Sequence, residues 1–193
     1  MKRITVFCGS SDSDTPEYKS QAYQLGKILA ESEIELVYGG AQVGLMGAVA
    51  DGTLAYGGKA IGVIPDFLKT KEVAHTSLTE MITVKSMHQR KQIMSDLSDG
   101  FIALPGGYGT LEELFEVLTW AQLGHHTKPI ALLNIGEYYR ELLIFIDLAV
   151  ERNLLKRENR DMLLVCTEVE QLIPSMRHYN PPKVQKWILP SQL

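Results

Sequence analysis

The sequence has few of the features that mark secreted and membrane proteins. Its only two cysteines, Cys8 and Cys166, lie far apart and lack metal-ligand spacing, which is typical of reduced, buried thiols in the cytosol. No apolar run approaches the roughly 20 residues of a membrane helix. The apolar stretch at residues 4–8 is too short for a signal-peptide core of about 7–15 residues. We therefore expect a cytoplasmic protein with no membrane partner and no bound metal.

Excess charge of one sign is also missing. Lysine and arginine number 19 against 23 aspartates and glutamates, a net charge of −4. A nucleic-acid polymer is a poor partner for such a chain, because neutralising phosphates needs a concentrated basic surface. With 45% hydrophobic and 22% charged residues in a length of 193, the composition indicates one well-filled core. We expect one domain over residues 1–179 and an extended tail over 180–193, whose Trp187, Ile188 and Leu189 dock on the body or on a partner subunit.

The glycines are ordinary in number, 16 in all, but informative in position. Three short apolar runs, at residues 4–8, 35–38 and 101–104, each end in a glycine-rich turn. Helical patterns alternate with these and other apolar runs, and they fall at residues 45–55, 86–97, 111–124, 138–153 and 168–173. This alternation predicts an α/β fold, a Rossmann-like doubly wound and mostly parallel sheet flanked by helices.

Glycine turns at the carboxyl ends of parallel strands let backbone N–H groups approach an anion, and the following helix N-terminus adds positive charge. Three such turns predict a phosphorylated ligand, although each one alone also serves simply to connect a strand to a helix. The chain has no GxxxxGK[ST] motif, so a P-loop nucleoside triphosphatase is not expected. Residues 40–44 do not match GxGxxG, so a dinucleotide dehydrogenase is not expected either.

The segment at residues 105–113, PGGYGTLEE, carries two interpretations. Thr110 followed by Glu113 has the spacing of a capping box, which would start a helix at residue 111. Capping leaves the preceding glycines and the second acidic residue, Glu112, unexplained. The functional alternative is that backbone N–H groups of the turn bind phosphate while a carboxylate beside them acts in catalysis.

A basic cluster, MHQRK, occupies residues 87–91. On a helix, Arg90 shares an apolar stripe with Met87 and Met94, so its guanidinium turns inward. Either it snorkels at the edge of the helix, or it pairs with a ligand phosphate or with the carboxylates of residues 112 and 113. Lys91 points about 100° away from Arg90 and would reach a different part of a ligand.

Together, PGGYGTLEE and MHQRK resemble the LONELY GUY family of cytokinin riboside 5′-monophosphate phosphoribohydrolases. The resemblance covers most of the chain, since it extends to FCGSS, YGGAQVGLMG, EVAH, TWAQLG and KPIALLN. It implies a homodimer or a larger dimer-based oligomer, and an enzyme that needs no cofactor and cleaves the N-glycosidic bond of a purine riboside 5′-monophosphate. Lysine decarboxylase activity is not expected, because no lysine lies in a context that suggests a Schiff base with pyridoxal phosphate.

By the same resemblance, Arg90 and Glu113 match the family's catalytic pair. The candidate substrate-binding residues are Gly9, Ser10, Gly40, Glu72, Met87, Arg90, Lys91, Gly106, Gly107, Tyr108, Gly109, Thr110, Leu111, Glu112 and Thr119. Two questions stay open at this point. The preferred base is either adenine or an N6-substituted adenine, and the alternative function is a non-catalytic carrier of a nucleotide or of the molybdenum cofactor.

Overall fold

Seven parallel strands form one sheet in the computed structural model, which describes residues 1–69 and 74–182. The sheet order is β4-β3-β2-β1-β5-β6-β7, and every pairing between neighbours is parallel. The strands are β1 Arg3–Phe7, β2 Glu35–Tyr38, β3 Ala60–Pro65, β4 Glu80–Val84, β5 Gly100–Ala103, β6 Ile130–Leu133 and β7 Leu163–Cys166. The predicted doubly wound sheet is therefore confirmed, and β1, β2 and β5 lie within one residue of the apolar runs at 4–8, 35–38 and 101–104.

Helices cover both faces of this sheet. They are α1 Pro16–Glu31, α2 Gly44–Ala55, α3 Met87–Leu97, α4 Tyr108–Leu123, α5 Arg140–Glu151, α6 Arg157–Arg160 and α7 Leu172–Arg177. One core joins α1, α2 and α7 to one side of the sheet, through buried residues such as Leu25, Val49 and Leu172. A second core joins α3, α4 and α5 to the opposite side. Successive residues of β1 alternate between the two cores, as the period of a strand requires.

Two helix boundaries differ from the sequence prediction. The helix expected at residues 111–124 begins three residues earlier, at Tyr108. The helix expected at residues 168–173 is a 3₁₀ turn, Val169–Gln171, followed by α7. Pro174 does not end this segment but lies in the first turn of α7, where its missing N–H would have had no partner within the helix.

The order of the strands creates a crevice beside β1. From β1 the chain builds outward through β2, β3 and β4, and then crosses to β5 on the other side of β1. At such a reversal the loops that follow the two central strands diverge to opposite faces of the sheet, and ligands of open α/β proteins bind between them. The loops after β1 and β5 carry two of the three glycine turns found in the sequence.

No helix among the described residues is long and apolar enough to cross a membrane. The C-terminal residues 183–193 lie outside the described part of the chain, and with them the predicted docking of Trp187, Ile188 and Leu189. Both cysteine thiols are free and buried, as expected.

Candidate active site

A pocket of about 550 Å³ occupies the crevice between the loops that follow β1 and β5. Its walls come from the loop at residues 8–13, from the start of α2, from α3, and from the glycine loop and first turns of α4. The lining residues are Cys8, Gly9, Ser10, Ser11, Asp12, Ser13, Tyr18, Leu45, Met46, Met87, Arg90, Pro105, Gly106, Gly107, Tyr108, Gly109, Thr110, Glu112, Glu113 and Tyr138. The motifs that the sequence singled out thus converge on one cavity.

Backbone contacts hold the two loops of the pocket against each other. The N–H of Gly9 donates to the carbonyl of Pro105 at 3.0 Å, and the N–H of Leu45 donates to the carbonyl of Gly9 at the same distance. Gly44 has a φ of +61° at the start of α2, and a side chain there would overlap the backbone of Ser10 and Ser11. The glycine turn after β2, which ends at Gly44, therefore supports the loop after β1 rather than lining the pocket.

The capping-box interpretation of Thr110 and Glu113 is wrong. Gly107 is the extended N-cap residue, and Leu111 makes the first helical hydrogen bond of α4 back to the Gly107 carbonyl at 3.1 Å. Thr110 is therefore inside the helix, and Glu113 lies on its second turn, 8% exposed and beyond reach of the N-cap. This position frees Glu113 from capping and places it in the wall of the pocket.

Arg90 is buried in the pocket wall, only 3% exposed, as its place on the apolar stripe predicts. Its Nε donates to the carbonyl of Val63 at 3.0 Å, and its Nη2 donates to the carbonyl of Gly39 at 2.9 Å. Both carbonyls belong to the β2–β3 side of the crevice, while Arg90 belongs to α3. The guanidinium is thus fixed in direction by the backbone, and it borders the same cavity as Glu113.

Cys8 also lines the pocket, in surroundings that disfavour its thiolate. Burial, with the negative charge of Glu113 as a second cause, raises the pKa of its thiol far above the ordinary value. The reactive form of cysteine is the thiolate, which this environment suppresses. Two other buried ionisable side chains in the described part of the chain line the pocket, Arg90 and Glu113.

Lys91 links two helices instead of lining the pocket. Its Nζ donates to Glu112 at 2.5 Å and to Glu116 at 2.9 Å, so it connects α3 to α4. Desolvation alone would lower the pKa of Lys91, but the two carboxylates outweigh it and the pKa is raised. Glu112, which does line the pocket, is held by this contact.

Three further described residues of the sequence prediction, Gly40, Leu111 and Thr119, are not in the pocket lining. Gly40 has a φ of +83° in the turn after β2, and its carbonyl accepts a hydrogen bond from the N–H of His75. Leu111 packs on the core below α4. Thr119 lies more than two turns further along α4, where its hydroxyl donates to the carbonyl of Phe115. Glu72 lies outside the described residues.

Sequence reasoning missed several residues of the pocket wall, among them Asp12, Tyr18, Met46 and Tyr138. Asp12 follows the first glycine turn by three residues, a signal that was available. Tyr138 comes from the β6–α5 connection, which has no glycine-rich motif to mark it. Among the described residues, no three histidine, cysteine, aspartate or glutamate side chains are grouped to hold a metal ion.

Comparison with known proteins identifies the family. Residues 46–176 match the family model described as "possible lysine decarboxylase". The chain is 48% identical to the cytokinin riboside 5′-monophosphate phosphoribohydrolase LOG7 of Arabidopsis thaliana over 93% of this chain and 83% of that protein. It is also 48% identical to the cytokinin riboside 5′-monophosphate phosphoribohydrolase of Rhodococcoides fascians, over 91% of this chain and 89% of that one. The chain belongs to the LONELY GUY family.

Solved structures place this LONELY GUY protein in a wider fold group. The molybdenum cofactor binding protein of Rippkaea orientalis superposes with a TM-score of 0.69 at 23% identity, over 92% of this chain and 96% of that one. The molybdenum cofactor carrier protein of Chlamydomonas reinhardtii gives 0.68 at 21% identity, over 91% and 95%. At this identity the likeness concerns the fold, and it shows that the fold is shared by LONELY GUY proteins and carriers.

Proposed function

We propose that this protein hydrolyses the N-glycosidic bond of purine riboside 5′-monophosphates, releasing the free base and ribose 5-phosphate. The observation that carries the proposal is the meeting of Arg90 and Glu113, both buried, in one pocket with the glycine loop at the start of α4. The curated relatives named for this activity are similar over nine-tenths of the chain.

The 5′-phosphate is assigned to the glycine loop. Gly107 and Gly109 flank the first residue of α4, where backbone N–H groups and the helix dipole favour an anion. Binding the phosphate there fixes the ribose at a distance from the reacting bond, so binding energy is available to orient C1′.

Arg90 and Glu113 are proposed as the catalytic residues. Breaking the bond between C1′ and the base nitrogen builds positive charge on the ribose, as in glycoside hydrolysis. The Glu113 carboxylate stabilises that charge or accepts a proton from the attacking water, whose oxygen bonds to C1′. The electron pair of the broken bond leaves with the base, which takes up a proton. Arg90 orients the carboxylate and the ribose from its fixed position on two backbone carbonyls.

The remaining contacts are proposed with different roles. Gly9, Ser10, Met87, Tyr108, Thr110 and Glu112 border the pocket and are assigned to the substrate directly. Lys91 is assigned to the support of Glu112, and Gly40 to the turn after β2, where its carbonyl accepts from the N–H of His75.

Two matched variants test the reaction. The wild-type protein, Glu113→Gln and Glu112→Gln are incubated with AMP and with isopentenyladenosine 5′-monophosphate, and the products are separated by chromatography. We expect equal amounts of free base and ribose 5-phosphate from the wild type, and at least about 100-fold slower turnover in Glu113→Gln. Glu112→Gln should change turnover far less. Release of nucleoside and inorganic phosphate, or no free base at all, would overturn the proposal.

The same experiment addresses the base and the carrier alternative. AMP and the cytokinin precursor differ only in the N6 substituent, and an apolar site discriminates a few methylenes only modestly. The ratio of kcat/KM for the two substrates therefore decides between a cytokinin-activating and an AMP-directed enzyme. A carrier would bind the nucleotide without turnover in all three proteins, as measured by calorimetry.

The description "possible lysine decarboxylase" does not fit the pocket. A pyridoxal phosphate enzyme needs a lysine amine for its Schiff base. Within residues 1–69 and 74–182, the pocket lining includes no lysine, and Lys91 is engaged with two carboxylates. We assign no step to that cofactor.

We also propose a cytoplasmic homodimer built on one domain at residues 1–179. The supporting feature is an apolar groove between α4 and α5, beside Phe115, in which Phe145 is 65% and Leu154 is 84% exposed. Along α4, Leu114 and Val117 are core residues, while Phe115 borders this groove. Sedimentation should give a dimer for the wild type, a monomer for Phe145→Glu, and a dimer for the control Tyr56→Glu on another surface.

A further inference from the structure

The β6–α5 connection brings two successive tyrosines onto the glycine loop. The Tyr139 hydroxyl, buried under the loop, donates to the carbonyl of Leu104 at 2.6 Å. The Tyr138 hydroxyl donates to the carbonyl of Gly106 at 2.8 Å, and its ring, 45% exposed, forms part of the pocket wall. Neither residue belongs to the motifs on which the proposed function rests.

Together with the β1 loop, these tyrosines hold three successive carbonyls of the glycine loop. The carbonyls of Leu104 and Gly106 accept from the two hydroxyls, and the carbonyl between them, of Pro105, accepts from the N–H of Gly9. A glycine segment has wide conformational freedom when it is not held, so each of these contacts removes a rotation that the loop would otherwise have.

Fixing a carbonyl also fixes the next amide. In a planar trans peptide, the C=O of one residue and the N–H of the following residue point in opposite directions. The Tyr138 hydroxyl therefore sets the direction of the Gly107 N–H by holding the carbonyl of Gly106. Gly107 is the N-cap of α4 and lines the pocket, so its N–H is among the donors assigned to the phosphate.

The backbone turns sharply just before the tyrosines, through two residues in the left-handed region. Gly136 and Glu137 both have positive φ, +55° and +59°, in consecutive positions. A non-glycine residue in this region costs about 1 kcal/mol and persists only when its surroundings hold it. The Asn134 carboxamide accepts from the N–H of Tyr139 at 2.7 Å across this turn, and Tyr18 packs edge-on against the Tyr138 ring.

We propose that Tyr138 is a positioning residue, which aims the Gly106–Gly107 peptide so that the Gly107 N–H binds the 5′-phosphate of the substrate. The inference rests on the proposed function, because that function places the phosphate at this loop. Tyr139 has a different role: its hydroxyl anchors the base of the loop in the core and contributes to stability.

Tyr138→Phe and Tyr139→Phe form a matched pair, since each removes one hydroxyl from the same loop. Inorganic phosphate and ribose 5-phosphate are titrated into the full-length wild type and both variants by calorimetry and amide NMR. We expect Tyr138→Phe to shift the Gly107 amide resonance in the absence of ligand. The affinity for both ligands should fall about three- to tenfold, which corresponds to the loss of one neutral hydrogen bond. With AMP, the KM should rise by the same factor while kcat stays within about twofold. Adenosine affinity should be unchanged, and Tyr139→Phe should mainly lower the melting temperature.

The outcomes distinguish failure of this inference from failure of the proposed function. If the wild type hydrolyses AMP but Tyr138→Phe binds both phosphates as the wild type does, Tyr138 has no positioning role and the inference is overturned. Equal loss of adenosine affinity would also overturn it, by showing a general disturbance of the pocket. If no protein hydrolyses AMP, the proposed function fails, while the phosphate titrations still report on Tyr138.

Discussion

Arg90 occupies the space that a side chain on Gly39 would need. Its Nη2 donates to the Gly39 carbonyl at 2.9 Å, and a β-carbon added to Gly39 would overlap that same nitrogen. The glycine at the end of β2 is thus required by the guanidinium, in addition to any role in a turn. The position of the proposed catalytic Arg90 on α3 therefore depends on the absence of a side chain at the residue that follows β2.

Gly39→Ala should therefore displace Arg90. We expect turnover of AMP to fall at least about tenfold and the free energy of unfolding to fall by about 1–3 kcal/mol, the usual cost of overpacking. Stability is measured by urea unfolding. In an Arg90→Ala background the same substitution should cost less, because the overlap with Nη2 is gone and only the milder contact with Met46, at 3.0 Å from Sδ, remains. An equal cost in both backgrounds would mean that the methyl group clashes with something other than Arg90.

The glycines of the loop before and within α4 divide into two kinds. A β-carbon on Gly106 would overlap the Thr110 side chain, whereas one on Gly107 or Gly109 would meet nothing within 4 Å. Gly106→Ala should therefore destabilise the fold by about 1–3 kcal/mol. Gly109→Ala should raise stability by up to about 1 kcal/mol, because alanine favours the helix.

The glycines that tolerate a methyl group in the fold should not tolerate one in ligand binding. Gly107 and Gly109 line the pocket at the proposed phosphate site, so a methyl group there keeps the anion from the backbone N–H groups. We expect Gly107→Ala and Gly109→Ala to weaken AMP binding at least about tenfold in calorimetry while both remain folded. Wild-type affinity in both variants would contradict the assignment of phosphate to this loop.

Local patterns predicted the sheet well for a physical reason. Buried parallel strands are continuous apolar runs, and glycine turns end them, so both signals lie within a few residues of sequence. The inward direction of Arg90 was predictable from helical periodicity for the same reason. Its partners, the carbonyls of Val63 and Gly39, were not, because they depend on how β2 and β3 lie beside α3.

The errors also have physical causes. Thr110 has the side chain of an N-cap residue, but the extended backbone of Gly107 starts α4 earlier and turns Thr110 inward. Tyr138 lies 32 residues from the carbonyl that it holds, and only the left-handed backbone at Gly136 and Glu137 brings it there. Such contacts arise from tertiary structure and leave no local pattern.

Lys91 provides a test of a role that the resemblance and the geometry assign differently. Its ammonium pairs with Glu112 and Glu116 across α3 and α4, outside the pocket lining. We expect Lys91→Met to lower stability by about 1 kcal/mol or less, and to change the KM for AMP by no more than about threefold. Glu116→Gln, which loses one of the same ion pairs, should change stability and KM as little as Lys91→Met does. A rise in KM above tenfold in Lys91→Met alone would indicate direct contact with the substrate.

His126 should make the stability of the protein fall in mild acid. Its Nε2 contacts the Val117 carbonyl, its Nδ1 accepts from the N–H of Lys128, and burial lowers its pKa from 6.5 to about 4. Between these values the unfolded chain binds a proton that the folded protein does not, so the free energy of unfolding decreases as pH falls from 6.5 towards 4. Urea unfolding at pH 7 and pH 5 should show a smaller decrease for His126→Gln than for the wild type. His88→Gln, at an exposed histidine, is the control, and equal pH dependence in all three proteins would contradict the assignment to His126.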